Sequence, residues 1–519
     1  MAGEVTANIA IRRQLSTDGS ILKILPAVVA YPRDENDISK ALRFCWQLAE
    51  RGQKLPVTAR GGGTDTSGAA IGSGVLLVFA EHMNKILELD PKRRLAVVEP
   101  GLSFDQLEQI LHSHGLDLPV QPPLSREATI GGGLANNALG LSSQKYAGVG
   151  EYIESLRVVL ANGDVIDCRP LSRRELSHKL GQADFEGQIY RQLDTLLEEN
   201  AKLINDSAHK FKLSGNAAGY NLSEVKVDGD FDLTPLFVGS QGSLGLITEA
   251  VLSLETWQAE TMSAIVSLDS TKTLAGLLAK ITELRPSMLA VVGRSSIELT
   301  KKLNPHRLGS GLHYPASAIH LLVEFDNPKE ADRKKLVKNL KKLANKASAD
   351  FQSTSQDELA WLRHTLEFAS REPQGGAWLV PVADSLNLPL TELTDFIEAA
   401  TDLLKLTNAP SSFWGDVGGN LRVQSLLDLS KVGDRQKLTK LADGLQQACL
   451  ERGGSPAAGL GEGRVRTAYA RQFYGEQLHD LMLAVKKIFD PRGILNPGVK
   501  TASWDEVKKL MREDYGPVG

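Results

Sequence analysis

The sequence predicts an α+β protein of more than one domain, and three observations carry that prediction. At 519 residues the chain exceeds what one hydrophobic core normally organises. Short apolar runs alternate with helix-period segments up to about residue 255, after which the texture becomes repeated strand–helix–strand units. Three glycine-rich segments also stand in a fixed order, each beside an apolar strand-like run.

Taken in order, residues 36–52 read as a helix, because Ile38, Ala41, Leu42, Cys45, Trp46 and Ala49 recur at helical spacing before Gly52. Leu55-Pro56-Val57-Thr58-Ala59 reads as a short strand, followed by Leu76–Phe79 and Leu95–Val98. Ser103 with Gln106 forms a capping box, and Phe104, Leu107, Ile110 and Leu111 give its helix an apolar face. Asn162-Gly163 between two apolar runs predicts a hairpin. Beyond residue 260, strand-like Ala264–Leu268, Leu289–Gly293 and Ile319–Phe325 interleave with helical segments, which predicts an antiparallel sheet covered by helices on one face. The Lys/Arg cluster from Arg333 to Lys346 lies at helical spacing with Leu336, Leu340 and Leu343, so it reads as a solvated helix face. Phe489–Gly498 is expected to close the ordered chain.

Composition narrows the functional classes. A hydrophobic fraction of 42%, a charged fraction of 24% and a net charge of -4 describe a globular chain with no bias toward nucleic acid. Cys45, Cys168 and Cys449 are scattered in apolar contexts, so neither a cluster nor a disulfide framework is expected. No signal-peptide pattern or membrane-spanning run occurs, and a cytoplasmic protein with optional peripheral membrane contact is expected.

The glycine segments are Arg60-Gly61-Gly62-Gly63-Thr64 with Asp65, then Thr129-Ile130-Gly131-Gly132-Gly133 running on to Asn137 and Gly140, then Val238 to Gly245 with Gly242 and Ser243. Glycine runs let backbone N–H groups turn toward an anion at close range, and a diphosphate is a common occupant. Three such segments point to one large phosphate-bearing cofactor. The absence of Gly-x-Gly-x-x-Gly argues against a Rossmann nicotinamide site.

These motifs come in a recognisable sequence order with Tyr31-Pro32, Pro122-Pro123, Lys145-Tyr146-Ala147-Gly148, Gly219-Tyr220-Asn221-Leu222 and Phe489–Gly498. The chain resembles the FAD-linked oxidases of the vanillyl-alcohol oxidase/p-cresol methylhydroxylase type, and more closely their D-lactate, glycolate and D-2-hydroxyglutarate dehydrogenase branch. The resemblance implies a two-lobed FAD-binding domain over residues 1–255, an α/β cap domain with an antiparallel sheet over 256–480, and a segment, 481–519, returning to the first domain. It implies FAD held by Arg60, Gly61, Gly62, Gly63, Thr64, Asp65, Thr129, Ile130, Gly131, Gly132, Asn137, Gly140, Tyr146, Gly242, Ser243, Ile247 and Asn496. It also implies a non-covalent flavin, since Thr64 follows Gly63 where tethering relatives carry a histidine.

On the substrate side the resemblance breaks. The branch pattern His-x-Gly-Asp-Gly-Asn-x-His appears here as Gly415-Asp416-Val417-Gly418-Gly419-Asn420-Leu421-Arg422. The later Gly-Glu-His becomes Gly459 and Leu460 in place of Glu-His, and no histidine lies between His364 and His479. No metal centre is therefore expected; His112 and His114 stand two apart on a helix and face different sides. Arg363 in Trp361-Leu362-Arg363 matches an arginine that clamps the substrate carboxylate in relatives, while a second substrate lysine between Gln374 and Pro389 is missing. Arg363 with Arg422 or Arg464 is one source of the charge a metal would supply; the alternative is that Arg422 and Arg464 are surface residues. Glu462, Asp416 and Tyr469 are candidate bases.

Two functional readings follow. One is an FAD-dependent oxidoreductase moving hydride from a small hydroxylated substrate, by resemblance a D-2-hydroxy acid, with another alcohol or a sugar as rival. Its electrons would pass to oxygen, a quinone, a cytochrome or a partner protein. The other is a flavin-binding protein without turnover that serves as a subunit or partner.

Overall fold

The computed structural model describes residues 1–213, 215–303, 317–355, 357–359, 362, 366 and 375–515. Its first sheet sets strands Glu4–Thr6, Val28–Tyr31, Val75–Val78 and Val57–Arg60 side by side; the first pair is antiparallel and the other two are parallel. Helix Glu35–Glu50, capped by the Asp34 side chain, lays Ile38, Ala41, Leu42 and Cys45 against Val57, Val75 and Leu77. Val75–Val78 is buried at all four positions, on both faces, which explains why it reads as a continuous apolar run.

The second sheet is antiparallel, in the order Ile86–Asp90, Leu95–Val98, Leu246–Ser253, Ile153–Val159, Val165–Cys168. Its Asn162-Gly163 turn joins the last two strands as the sequence predicts, with Gly163 at φ +85. Leu246–Ser253 alternates buried and half-buried residues, the period of a strand with one face inward. The predicted capping box at Ser103 and Gln106 is formed.

Seven antiparallel strands make the third sheet, in the order Asp350–Thr354, Met262–Leu268, Ile319–Phe325, Met288–Gly293, Ser411–Asp416, Asn420–Leu427, Trp378–Leu386. Helices Leu274–Glu283, Glu330–Lys346, Leu393–Thr407 and Val432–Glu451 contribute Leu278, Leu340, Phe396 and Leu441 to one core with Val266, Val291, Val323 and Val423 of the sheet. The opposite face holds a smaller cluster with Ile265, Ala290, Leu322 and Trp414. In Glu330–Lys346 the lysines face solvent as expected, whereas Arg333 is 3% exposed and donates to the Asn327 and Pro328 carbonyls and to Glu260.

One expectation is corrected at the C-terminus. The ordered chain does not close at Gly498: helix Trp504–Leu510 follows, and Met511 bridges to Leu22. The apolar side chains Val507 and Ala502 pack into the core of the seven-stranded sheet, which stabilises this tail. Upstream, Ile494 and Leu495 pack beside Val57, the Val57 N–H donates to the Ile494 carbonyl at 2.8 Å, and the Asn496 N–H returns to Val57.

Candidate active site

A cavity of about 400 Å³ lies where the three sheets approach one another. Arg60 to Asp65 line one wall, with Thr129, Gly131 and Gly132 beside them and Gly242 and Ile247 close by. Pro381, Asp384, Trp414, Arg422 and Gln424 of the seven-stranded sheet face these loops, and Gly459, Leu460, Arg512 and Tyr515 complete the wall. Such a volume lies in the range typical of ligand and cofactor sites.

The three glycine segments do not contribute equally. Among the described residues, the N–H groups of Gly61, Gly62, Gly63, Thr64 and Asp65 donate to no other protein atom, although Gly63 and Asp65 are buried. Buried unpaired amides are rare, so this loop offers a row of donors shaped for an anion. In the second segment the Ile130 and Gly131 N–H groups donate to the Leu102 and Pro100 carbonyls, and Gly132 donates to the Thr129 hydroxyl. Those amides are spent on the fold. Their glycines instead permit close approach: a Cβ on Gly62 would overlap the Glu127 carbonyl, and one on Gly61 the Thr129 hydroxyl. In the third segment Gly239, Gln241 and Ser243 donate to Leu134, Ala135 and Ser240. Gly242 stands at φ +68 with an amide that makes no such bond.

Several predicted residues brace these loops from behind. The Arg60 guanidinium donates to the Thr17 carbonyl at 2.9 Å and the Ala70 carbonyl at 3.2 Å beneath Gly63. Asp65 accepts from the Ser67 and Ala69 N–H groups and from Asn136. Asn496 donates to the Ala69 and Gln241 carbonyls, both at 2.8 Å, and so ties the first segment to the third. The Ser243 hydroxyl donates to the Ser240 carbonyl and meets the Tyr220 hydroxyl at 2.8 Å. Ile130 is fully buried, Asn137 caps its helix at φ +50, and Gly140 packs against the Gln121 backbone. The Tyr146 hydroxyl donates to Asp326, which also pairs with Lys145; burial and this carboxylate push the phenol well above its usual range. None of Ile130, Asn137, Gly140, Tyr146, Ser243 and Asn496 lines the cavity.

The candidate catalytic residues separate in the same way. Arg422 faces the cavity, 7% exposed, its guanidinium 5.0 Å above the Trp414 ring. Arg464 is 4% exposed but donates to the carbonyls of Gly68, Ile71 and Pro497 and to Asn496, so it staples the tail to the first loop. The surface alternative for both arginines is therefore corrected: apolar neighbours and backbone carbonyls enclose them. Glu462 accepts from the Gly219 N–H at 2.8 Å and pairs with Lys500 at 3.5 Å, both of that pair being buried. Asp416 accepts from the Ser143 N–H and hydroxyl and from Gly418, and burial pushes its carboxyl up to about 7. The Tyr469 hydroxyl donates to Asp443 at 2.5 Å. Glu462, Arg464, Asp416 and Tyr469 do not line the cavity. Arg363 lies outside the described residues.

The sequence reading missed Asp384, Gln424, Trp414, Arg512 and Tyr515, all of which line the cavity. Unpartnered polar atoms gather there: both Asp384 oxygens, Trp414 Nε1, Gln424 Oε1 and Arg512 Nε have no hydrogen-bond partner among the described residues. A sequence signal existed for Asp384, a lone acid within the apolar run Trp378–Leu386. Elsewhere, Glu108, His112 and Asp117 hold ligand-type atoms within 4.8 Å of one another, with the His112 ring stacked 4.2 Å from Trp257; this group stands apart from the cavity.

Comparison with known proteins identifies two domains in the chain. Residues 26–169 match the model of an FAD binding domain, and residues 258–499 match that of the FAD linked oxidases, C-terminal domain. The chain therefore carries an FAD binding domain followed by the C-terminal domain of the FAD linked oxidases. It is 29% identical over 515 residues to the D-2-hydroxyglutarate dehydrogenase of Escherichia coli (strain K12), covering 96% of this chain and 50% of that protein. The chain thus spans about half the length of the first curated relatives it matches. It is 27% identical over 502 residues to the glycolate oxidase subunit GlcD of Bacillus subtilis (strain 168), covering 94% of this chain and 92% of that one. The 4-ethylphenol oxidase from Gulosibacter chungangensis superposes with a TM-score of 0.67 at 15% identity, over 97% of this chain and 95% of that one. p-Cresol methylhydroxylase gives 0.64 at 15% identity, over 96% and 94%. The predicted α+β fold of the p-cresol methylhydroxylase type is therefore the fold observed.

FAD is the cofactor of these domains, and the cavity fits it. Free amides from Gly61 to Asp65 suit a diphosphate, and crowding by Glu127 and Thr129 excludes side chains where the cofactor would run. Described helices include none long and apolar enough to cross a membrane.

Proposed function

We propose that this chain is an FAD-dependent oxidoreductase that oxidises the CH–OH group of a small hydroxylated, carboxylate-bearing substrate, with non-covalent FAD. One observation carries the reading: the glycine loops with unpaired amides and the polar face of the seven-stranded sheet line the same cavity. In this reading residues 1–255 hold the cofactor, 256–480 cover it, and 481–519 return to the first unit. Strand Leu246–Ser253 ends and Met262–Leu268 begins on either side of the first boundary, which supports it.

The first loop would hold the diphosphate, with Thr64 as an added hydroxyl donor; Thr129, Gly131 and Gly132 would form the wall beside the flavin, and Gly242 and Ile247 the wall toward the adenosine half. Arg60, Asp65 and Asn496 fix these loops, and Ile130, Asn137, Gly140, Tyr146 and Ser243 support them from the layer behind. When bound, the flavin supplies a two-electron acceptor, and the protein supplies orientation and charge. Arg422 is positioned to donate two parallel hydrogen bonds to a substrate carboxylate. A 2-hydroxy acid is the favoured substrate class, since relatives are named for D-2-hydroxyglutarate, glycolate and D-lactate. Its electrons pass to a quinone or an acceptor protein, and the chain works in the cytoplasm or at a membrane surface.

Anaerobic mixing of the yellow holoprotein with D-lactate, glycolate and D-2-hydroxyglutarate should bleach the absorbance near 450 nm. Colour that persists with these acids but bleaches with simple alcohols or sugars would replace the substrate class. Colour that persists throughout favours the second reading, a flavin-binding subunit without turnover. That reading rests on Gly415, Arg422, Gly459 and Leu460 standing where the branch carries its metal-binding side chains.

A further inference from the structure

Asp384 is the unexplained group in the cavity. It is 2% exposed, lines the cavity, and neither carboxylate oxygen receives a hydrogen bond of good geometry from a described residue, although the Thr66 hydroxyl stands near enough to pull its pKa down. An unpaired buried carboxylate is costly unless a ligand or a nearby charge compensates it.

The backbone places it there by an irregularity. Pro381 pairs with Gln424 and both face the cavity, so strict alternation would bring residue 383 to that face next. A bulge between Pro381 and Ala383 inserts one residue, so Ala383 turns into the core beside Val423 and Asp384 faces the cavity opposite Arg422. A second bulge follows between Asp384 and Leu386, where Ser385 takes φ +71 and its hydroxyl accepts from the Ala458 and Leu460 N–H groups, each at 3.0 Å. Asp384, Arg422 and Trp414 thus form one row across three adjacent strands. The Arg422 guanidinium stacks on Trp414 and donates no hydrogen bond to another described residue. Its donors and the Asp384 oxygens meet the cavity together.

We propose that Asp384 is the catalytic base, and that Arg422 beside it binds the substrate carboxylate; the inference rests on the oxidoreductase reading above. In the step, a bound oxidised flavin would supply the acceptor for the carbinol hydrogen and its electron pair. The O–H bond breaks, its electron pair closes the C=O bond, and the proton passes to an Asp384 oxygen. The step would leave a 2-oxo acid, a flavin carrying the two electrons, and a neutral Asp384. Burial raises the affinity of this carboxyl for a proton, against the opposing pull of Arg422, of Arg466 in the loop behind and of the Thr66 hydroxyl. Arg512 and Tyr515 of the tail line the same cavity, and Tyr469 stands with Asp384, Thr66 and Arg466 around a small void behind it.

The test uses the holoprotein of wild type, Asp384→Asn and Asp384→Glu. Expected for D384N are unchanged FAD content and melting temperature, and flavin reduction by the best hydroxy acid slowed about 100-fold or more. D384E should recover part of that rate. Pyruvate, followed by its perturbation of the flavin spectrum, should bind wild type about 10-fold more tightly as pH falls and Asp384 takes up its proton. In D384N that pH dependence should vanish, which a purely structural role would not produce. D384N that reduces its flavin at the wild-type rate overturns the base assignment alone, as does loss of rate matched by equal loss of pyruvate affinity. Wild type that no hydroxy acid bleaches overturns the parent reading together with the inference.

Discussion

Two buried arginines with opposite duties show how much a single side chain's partners decide. Arg464 has all of its reach committed to carbonyls of Gly68, Ile71 and Pro497, and burial pulls its pKa down to about 10. Arg464→Met should leave several acceptors unpaired and destabilise the fold by about 3 kcal/mol, read as a lower denaturation midpoint. Arg422→Met should leave the midpoint within a small margin and keep FAD, yet weaken pyruvate binding about 10- to 100-fold in a spectral titration. Equal effects of the two substitutions on stability would contradict the division. Both arginines were visible in the sequence as residues of altered motifs, but not their difference. That difference lies in carbonyl partners from residues 68–71 and 497, far away in the chain.

Among the elements, the first glycine loop and the bulged strand carry the site. Gly62→Ala would drive a methyl group into the Glu127 carbonyl, and the two backbone segments cannot separate without displacing Thr129. The purified variant should therefore lose most of its bound flavin, measured as the ratio of absorbance at about 450 and 280 nm, in contrast to a Ser103→Ala variant. The latter loses only a capping bond and should cost about 1 kcal/mol of stability with flavin content unchanged. The loop was legible because a glycine run next to a strand has few other physical uses. The bulges in Trp378–Leu386 were not, because nothing in the local composition says which residue will be the extra one.

For the whole molecule, a contact between the seven-stranded sheet and the short helix Ser143–Tyr146 makes stability sensitive to pH. Asp416 reaches from the seven-stranded sheet to Ser143, and burial holds its carboxyl at about 7 rather than near the usual 3.8. The folded protein therefore keeps a proton that the unfolded chain releases, so this group's contribution falls as pH rises from about 4 to 7 and stays low above. Asp416→Asn mimics the protonated acid. The difference in unfolding free energy between variant and wild type should shift in the variant's favour by roughly a few kcal/mol between pH 4 and 8. A difference that stays constant with pH would show that Asp416 does not titrate in this range. Comparing the two proteins cancels other groups, such as His320, whose pKa burial lowers to about 4.

The sequence by itself determined the periodicities, caps and turns that build the sheets and helices, because those depend on residues close together in the chain. It also pointed to an FAD-binding domain through the order of its glycine segments, whose backbone freedom is a local property. Only the tertiary structure decided which amides remain free, since the Ile130 and Gly131 donors are consumed by Leu102 and Pro100 while those of Gly61 to Asp65 are not. It alone brought Asp384, Arg422 and the tail residues Arg512 and Tyr515 to one cavity. Burial and hydrogen-bond satisfaction arise between segments distant in sequence, so the chemistry of each polar side chain was fixed by what the fold set against it.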